Sequence, residues 1–219
     1  MNLPNKITLS RIILILVMII SFFVLAIIEA IPEASFIAQN LGNSPINLVY
    51  FIFSIVFIVA AATDYLDGHL ARKLNLVTDF GKFLDPIADK LLNDAVMIFL
   101  LVPQMYAPLQ RHDPIALSIL MVCVIVMIGR DLVVDALRMI AVKNNVVIAA
   151  NKFGKAKTVL QMIAIPMLLL NDWPFSYFDS SWPEALQVSN LFFYAATAMS
   201  LISGIIYVIQ NKQVFKGDK

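Results

Sequence analysis

The sequence predicts an all-α membrane protein with six transmembrane helices and with both termini in the cytoplasm. Of its 219 residues, 60% are hydrophobic, whereas about half are apolar in a typical soluble domain. The apolar residues fall in runs of about 20, which is the length that crosses a bilayer, and basic residues collect in alternate connections between the runs. Because no repeat and no linker divides the chain, we expect a single integral membrane domain over residues 1–219.

Six apolar runs are candidates for the spans: 10–29, 46–72, 83–103, 114–142, 156–171 and 187–209. The second run is apolar to about residue 66 and then continues as a polar helix. The first run follows a short interfacial segment, residues 1–9. It is longer than a signal-peptide core and lacks an Ala-x-Ala cleavage site, so we interpret it as a retained span.

Pro86 favours a third helix that begins only shortly before it, because proline is tolerated in a first turn.

The distribution of charge orients the spans. Residues 30–45, 104–113 and 172–186 contain acidic side chains but only one basic residue, Arg111. The other Lys and Arg residues lie at the two termini, around 72–90 and in 130–157. The positive-inside rule therefore predicts a multi-pass protein of the cell membrane with cytoplasmic termini. Aromatic side chains typical of an interfacial belt lie in the last outward connection, at Trp173, Tyr177 and Trp182.

Composition also excludes several classes of function. The net charge of +1 does not indicate nucleic-acid binding. The single cysteine, Cys123, excludes a disulfide framework and makes a sulfur-ligated metal centre improbable.

The second apolar run ends in a patterned polar segment. On a helix, Asp64, Asp67, Gly68 and Ala71 share one face, because they are spaced by three, four and seven residues. Gly68 and Ala71 leave that face nearly bare, so a bulky polar group can approach the backbone. Arg72 follows and offers a planar fork of donors suited to a phosphate.

The next helix carries a matching stripe, formed by Gly81, Asp85 and Asp89 at intervals of four. A short link from Lys73 to Phe80 forces the two helices into an antiparallel hairpin, with both carboxylate pairs at one depth near the cytoplasmic surface. Two opposed pairs supply enough oxygens for two hard divalent cations, Mg²⁺ or Mn²⁺ rather than Zn²⁺. Such a two-metal site brackets a phosphoryl group in transfer reactions.

Two other readings of the aspartates remain open. The acids can pair with neighbouring basic residues as a solvated charge cluster at the membrane surface. They can also line an ion pathway, as in a cation transporter. Their clustering at one surface speaks against the pathway, and their arrangement in two matched pairs speaks against a simple charge cluster.

A second polar group lies in the fourth span. Asp131, Asp135 and Arg138 are spaced by four and three residues, so a local salt-bridge ladder is one interpretation. Arg130 lies on a neighbouring flank, where we expect no equally obvious partner. Charged residues inside a span normally face a cavity or one another.

The fifth run opens with basic residues in the segment 151–158. Lysines at a helix start oppose the macrodipole, but together with free N–H groups they form a phosphate cradle. Positive-inside charge alone is the competing explanation. We therefore predict an acceptor that itself carries a phosphate, held by Arg130, Lys155 and Lys157, with Arg138 as a weaker candidate.

The pattern Asp64-x-x-Asp67-Gly68-x-x-Ala71-Arg72, eight residues, Gly81-x-x-x-Asp85-x-x-x-Asp89 resembles the signature of the CDP-alcohol phosphotransferase family. The resemblance implies that family's six-helix bundle. It implies that Asp64, Asp67 and Asp85 ligate metal, and that Asp89 both contacts metal and acts as the general base. It also implies that the CDP moiety lies against the remaining signature positions, Gly68, Ala71, Arg72 and Gly81, with Asp64 and Asp67 beside it.

Two further stretches, residues 2–11 and 154–158, resemble the branch of that family in which CDP-diacylglycerol donates and sn-glycerol 3-phosphate accepts. The resemblance implies a homodimer among membrane lipids, for which Ser200 and Gly204 form a small-x-x-x-small pattern that can pack helices. It places Asn5 and Thr8 near the nucleotide, although the competing reading is a plain helix cap and anchor. Inositol phosphate, serine and phosphatidylglycerol remain alternative acceptors, and the signature's glycine and alanine positions speak against a prenyltransferase.

Overall fold

A computed structural model describes residues 3–29, 46–73, 79–101, 113–144 and 151–212; within these ranges, the side chains of 3–5, 25–29, 64–73, 79–80, 82–83 and 143 are not described. These ranges contain seven α-helices and a 3-10 turn, Glu184–Leu186, and no extended strand. The all-α class is confirmed. The helices are α1 Leu3–Glu29, α2 Leu48–Lys73, α3 Asp79–Phe99, α4 Pro114–Lys143, α5 Lys152–Leu169, α6 Ser176–Asp179 and α7 Val188–Gln210.

Each predicted span corresponds to one long helix, but the helices differ in polarity. Among the described residues, three stretches are long and apolar enough to cross a membrane: Lys6–Val24, Pro114–Val142 and Val188–Gln210. A shorter apolar stretch covers Leu48–Thr63. The chain is therefore a helical membrane protein, while the full count of six spans stays a prediction.

Two boundaries differ from those expected. Helix α1 begins at Leu3 and runs unbroken into the first apolar run, so residues 3–9 continue that helix. Helix α3 begins at Asp79, so Pro86 lies in its interior and not in its first turn. Pro86 has no N–H to offer the carbonyl of Lys82. The expectation of a later start was wrong because the helix continues into the polar segment that contains Gly81.

The chain forms two compact units. The first comprises Met1–His112 and Ile165–Tyr177, and the second comprises Asp113–Ala164 and Phe178–Lys219.

In the first unit, α1 packs against both α2 and α3. Thr8 of α1 contacts Asp85 of α3, and fourteen residues further along each helix Phe22 stacks on Phe99, with 3.6 Å between ring centroids. Helices α1 and α3 therefore run in the same direction and in register. Tyr50, near the start of α2, lies beside Phe99 at the end of α3. Helix α2 is thus antiparallel to α3, as predicted for the hairpin.

The buried face of α1 changes character along its length. Thr8, Arg11, Ile15, Met18 and Phe22 are all buried and recur every three or four residues, which is the repeat of one helical face. The first two are polar and the rest are apolar. The polar end of this face therefore meets the polar start of α3, and the apolar end meets the aromatic rings.

In the second unit, α4 packs along α7. The side chain of Asp113 caps α4 by accepting a hydrogen bond from the N–H of Ile115 at 2.9 Å. The N–H of Asp113 in turn donates to Oε2 of Glu184, just before α7. Further along, Arg130 contacts Ser203 and Arg138 contacts Tyr207. Helices α4 and α7 therefore run parallel from start to end.

Candidate active site

Two aspartates of α3 form the described part of the predicted metal site. Asp85 and Asp89 are four residues apart on one helix and are both half-buried, so they share a face. Oγ1 of Thr8, a buried residue of α1, donates a hydrogen bond to Oδ1 of Asp85 at 3.1 Å. The structure thus brings Thr8 to a predicted metal ligand, while its expected place beside the nucleotide stays a prediction.

Asp89 is also held from its own helix. Nδ2 of Asn93, one turn later, donates to Oδ1 of Asp89 at 3.0 Å and to its backbone carbonyl at 2.9 Å. The carboxylate of Asp89 is thereby oriented by an amide. Sequence reasoning did not single out Asn93, although its spacing of four from Asp89 is a signal for such a contact.

The remaining signature residues are described only in part. Helix α2 continues through Lys73, so positions 64 and 67 follow the buried Ala60 by four and seven residues, in the register of its packed face. The side chains of Asp64, Asp67, Ala71, Arg72 and Asn5 lie outside the described residues, and so do the surroundings of Gly68. Gly81 is buried in α3.

The described donors fit a hard divalent cation. Asp85 and Asp89 present carboxylate oxygens, which Mg²⁺ and Mn²⁺ prefer, and each carboxylate is oriented by an outer hydrogen bond, as ligating side chains usually are. Among the side chains that the structure describes, no group of three or more His, Cys, Asp and Glu comes together. The complete ligand set therefore stays a prediction that depends on Asp64 and Asp67.

The second unit contains a charged cluster centred on Asp131. Its Oδ1 accepts from Nη1 of Arg130 at 2.8 Å, and its Oδ2 lies 2.6 Å from Nζ of Lys157. Lys157 is only 7% exposed. One carboxylate therefore joins a cation of α4 to a cation of α5 and offsets the repulsion between them.

Arg130 also reaches α7. Its Nη2 donates to Oγ of Ser203 at 2.5 Å, and its guanidinium carbon lies 5.7 Å from the ring centroid of Tyr207. The expectation that Arg130 has no obvious partner was wrong. Asp131 is adjacent in sequence, which spacing arguments disregard because neighbours on a helix do not normally face each other, and Ser203 comes from a distant helix.

Arg138 and the start of α5 meet at the same tyrosine. The hydroxyl of Tyr207 lies 3.1 Å from Nη2 of Arg138 and 3.3 Å from the backbone N of Asn151, and both nitrogens donate to it. Asn151 caps α5, because its Oδ1 accepts from the N–H of Gly154 at 3.0 Å. Lys155, two residues before Lys157, is exposed to solvent.

The predicted acceptor-site residues are thus largely brought together. Arg130 and Lys157 share Asp131, and Arg130 and Arg138 share Tyr207. Among the residues that the structure describes, no such contact positions Lys155. Sequence reasoning missed Ser203 and Tyr207 as partners. The sequence shows that Ser203 and Tyr207 are four residues apart on α7. Only the packing of the helices shows that their shared face meets α4.

Ser200 and Gly204, considered as a dimer-packing pair, are buried within the single chain. Both small residues are therefore covered within the second unit, so their burial does not bear on a contact between two chains. The homodimer remains a prediction.

Comparison with known proteins identifies relatives over nearly the whole chain. A sequence profile described as CDP-alcohol phosphatidyltransferase matches residues 1–206. A CDP-diacylglycerol–glycerol-3-phosphate 3-phosphatidyltransferase of Bacillus subtilis (strain 168) is 40% identical over 215 residues, covering 98% of this chain and 97% of the relative. A protein of the same name from Mycoplasma pneumoniae is 36% identical over 223 residues, covering 98% and 89%.

A third relative carries a different name. A cardiolipin synthase (CMP-forming) of Oryza sativa subsp. japonica is 36% identical over 160 residues, covering 70% of this chain and 46% of the relative. The Bacillus and Mycoplasma relatives, whose names include glycerol 3-phosphate, thus match a larger share of this chain than the rice relative does.

Proposed function

The chain belongs to the CDP-alcohol phosphatidyltransferase family, and on that premise we propose that it transfers the phosphatidyl group of CDP-diacylglycerol to sn-glycerol 3-phosphate. The products are phosphatidylglycerophosphate and CMP. The observation that carries the proposal is the match to the Bacillus subtilis enzyme, which covers nearly the full length of both chains. The same family membership speaks against a cation transporter.

At the site for the phosphatidyl donor, CDP-diacylglycerol, two divalent cations would be held by four aspartates: Asp64, Asp67, Asp85 and Asp89. Those ions, Mg²⁺ or Mn²⁺, would neutralise charge on the phosphates and on the departing CMP. Thr8 holds the Asp85 carboxylate and Asn93 holds that of Asp89. Gly68, Ala71 and Gly81, which carry no bulky side chain, would lie against the CDP moiety, beside Arg72 and Asn5.

In the chemical step, the carboxylate of Asp89 accepts the proton of the acceptor hydroxyl. The hydroxyl oxygen then bonds to the β-phosphorus of CDP-diacylglycerol, and the bond from that phosphorus to the oxygen of CMP breaks with its electron pair. A carboxylate oriented by Asn93 is suited to this role, because a general base must point at the proton that it removes.

On the acceptor side, Arg130 and Lys157 would bind the phosphate of sn-glycerol 3-phosphate, with Lys155 and Arg138 beside them. Among the contacts that the structure describes, Arg130 uses two of its N–H donors, on Asp131 and Ser203, and Lys157 uses one, on Asp131. An arginine has five donors and an ammonium has three. Both cations therefore retain donors for a phosphate while Asp131 stays bound.

We further propose six spans in the cell membrane, with the termini and the site at the cytoplasmic face and with a homodimer as the assembled form. The parallel pairs α1/α3 and α4/α7 support this topology within each unit, because every second span of an alternating series runs the same way. Lipid tails would then enter from the inner leaflet.

An acceptor panel tests the proposal. Purified protein in liposomes that contain CDP-diacylglycerol is given sn-glycerol 3-phosphate, inositol phosphate, serine or phosphatidylglycerol, with Mg²⁺ or Mn²⁺, and CMP release is measured. We expect release that depends on sn-glycerol 3-phosphate and on the divalent ion. Release with phosphatidylglycerol alone would favour the second candidate, the cardiolipin synthesis named for the rice relative. Release with none of the acceptors would refute the proposed function.

A further inference from the structure

We propose that one face of α7 positions Arg130 and Arg138 for the acceptor phosphate. This face consists of Ser203, Gly204 and Tyr207, and we call it the α7 cradle. The inference rests on the proposed function, because it takes the two arginines as acceptor ligands. The cradle residues contact the arginines, so their proposed role is to position them.

Gly204 makes room for the Arg130 side chain. A Cβ atom at position 204 would lie 2.9 Å from Cγ of Arg130 and 3.6 Å from its Nε. Two carbon atoms do not pack that closely, and Cγ is near the root of the side chain, so it cannot move without displacing the whole guanidinium. The observed conformation of Arg130 therefore requires glycine at position 204.

Ser203 fixes the far end of the same side chain. Its Oγ accepts from Nη2 of Arg130, while Asp131 accepts from Nη1. The guanidinium is thus held at both terminal nitrogens, and its plane is fixed. A fixed plane matters because an arginine binds phosphate best through two parallel N–H donors.

Tyr207 joins the two arginines to the start of α5. Its ring centroid lies 5.7 Å from the guanidinium carbon of Arg130 and 5.6 Å from that of Arg138, both within cation–π range. Its hydroxyl accepts from Arg138 and from the backbone N–H of Asn151, the residue that caps α5. One buried side chain thereby sets the positions of two cations and of the helix start that carries Lys155 and Lys157.

A matched pair of glycine substitutions isolates this role. Gly204→Ala and Gly129→Ala both place a methyl group inside a helix, so both gain similar helix propensity. Gly129 precedes Arg130 on α4, and a Cβ there meets none of the described residues within 4 Å. We expect Gly204→Ala to raise the KM for sn-glycerol 3-phosphate about tenfold, as expected for a perturbed contact to a charged group, and Gly129→Ala to leave it unchanged. The KM for CDP-diacylglycerol should change less than about twofold in both, since its proposed ligands belong to the other unit.

A second pair of substitutions, at two tyrosines of α7, removes only the phenolic hydroxyl. Tyr207→Phe keeps the ring beside both arginines but deletes the acceptor for Arg138 and Asn151, so we expect a rise of about fivefold in the same KM. Tyr194→Phe on the same helix is the control, and it should not change that KM. This pair keeps the inference testable if Gly204→Ala does not fold, which size-exclusion chromatography in detergent will reveal.

A double-mutant cycle separates positioning from a general structural effect. If Gly204 acts through Arg130, then Gly204→Ala should add less than about twofold to the KM for sn-glycerol 3-phosphate in an Arg130→Ala background. Additive effects would overturn the inference, and so would equal effects of Gly204→Ala and Gly129→Ala. If the proposed function itself is wrong, the experiment gives a different result. In that case the wild-type protein would release no CMP in response to sn-glycerol 3-phosphate, or Arg130→Ala would leave the KM unchanged, and the inference would fall with the acceptor assignment.

Discussion

Asp85 and Asp89 each accept a hydrogen bond from an uncharged neighbouring side chain that helps to orient the carboxylate. Thr8 reaches Asp85 from another helix, and Asn93 reaches Asp89 from the next turn of α3. Outer hydrogen bonds of this kind orient metal ligands and influence how tightly they hold an ion. At the scale of single residues, each described aspartate of the proposed metal site is therefore paired with one hydrogen-bond donor.

Thr8→Val tests the contact to Asp85, because it removes the hydroxyl and keeps the branched shape. We expect the concentration of Mg²⁺ or Mn²⁺ at half-maximal CMP release to rise about tenfold, the lower end of what loss of an outer-shell partner costs. Thr8→Ser retains the donor and should stay near wild type. An unchanged metal requirement in Thr8→Val would argue against Asp85 as a ligand or against Thr8 as its support.

Asp89→Asn tests the proposed base. Asparagine keeps the size of the side chain but cannot accept a proton, so we expect CMP release to fall by a factor of about 10² or more, with the protein still folded. Asn93→Ala is the comparison, since it removes only the orienting amide and should cost less. Near-normal turnover in Asp89→Asn would exclude Asp89 as the base.

At the scale of elements, the register of α1 and α3 links the site to a distant core. Thr8 to Phe22 and Asp85 to Phe99 are both intervals of fourteen residues, or about 20 Å along a helix. The polar contact marks one end of the helix pair and the stacked rings mark the other. The packing of the rings therefore helps to hold the register on which the Thr8–Asp85 contact depends.

Phe99→Ala tests this element. Phe99 packs on Phe22 and near Tyr50, so its loss should lower the free energy of unfolding in detergent by about 3 kcal/mol, measured by thermal or denaturant unfolding. Its neighbour Ile98 is 52% exposed, and Ile98→Ala should have a much smaller effect. Equal losses in the two variants would show that the rings do not stabilise the helix pair.

The start of α5 shows how an element tolerates charge of the wrong sign. Lysines in a first turn oppose the helix dipole. Asn151 caps one backbone N–H, and Asp131 neutralises Lys157 from α4, while Lys152 and Lys155 remain in solvent. The unfavourable placement of lysines at the start of α5 is therefore offset in two ways: by the Asn151 cap and by Asp131 of α4.

At the scale of the whole molecule, the alternation of charge and the parallel pairs of helices predict the topology. Ser181, before α7, and Lys212, after it, are both exposed and should lie on opposite sides of the membrane.

Cysteine labelling in intact cells tests that arrangement. In a Cys123→Ala background, we expect a membrane-impermeant maleimide to label Ser181→Cys directly and Lys212→Cys only after permeabilisation. Labelling of Lys212→Cys in intact cells would reverse the proposed orientation.

The sequence alone was enough to predict the helical class, the positions of the long helices and the aspartate signature. These features depend on runs and spacings within one segment, and a helix converts spacing directly into a shared face. It also determined which residue types supply charge, including the cations Arg130, Lys155 and Lys157. The start of α3 was predicted too late. Whether a helix tolerates Pro86 in its interior depends on the residues packed around it, which the spacing of residues along the sequence does not show.

The packing of the helices, by contrast, set which distant residues meet. It paired Thr8 with Asp85, placed Asp131 between Arg130 and Lys157, and set Arg130 over Gly204 and beside Ser203 and Tyr207. These contacts join residues up to 77 positions apart. They depend on helix direction and register, which arise from the packing of whole faces and not from any local pattern.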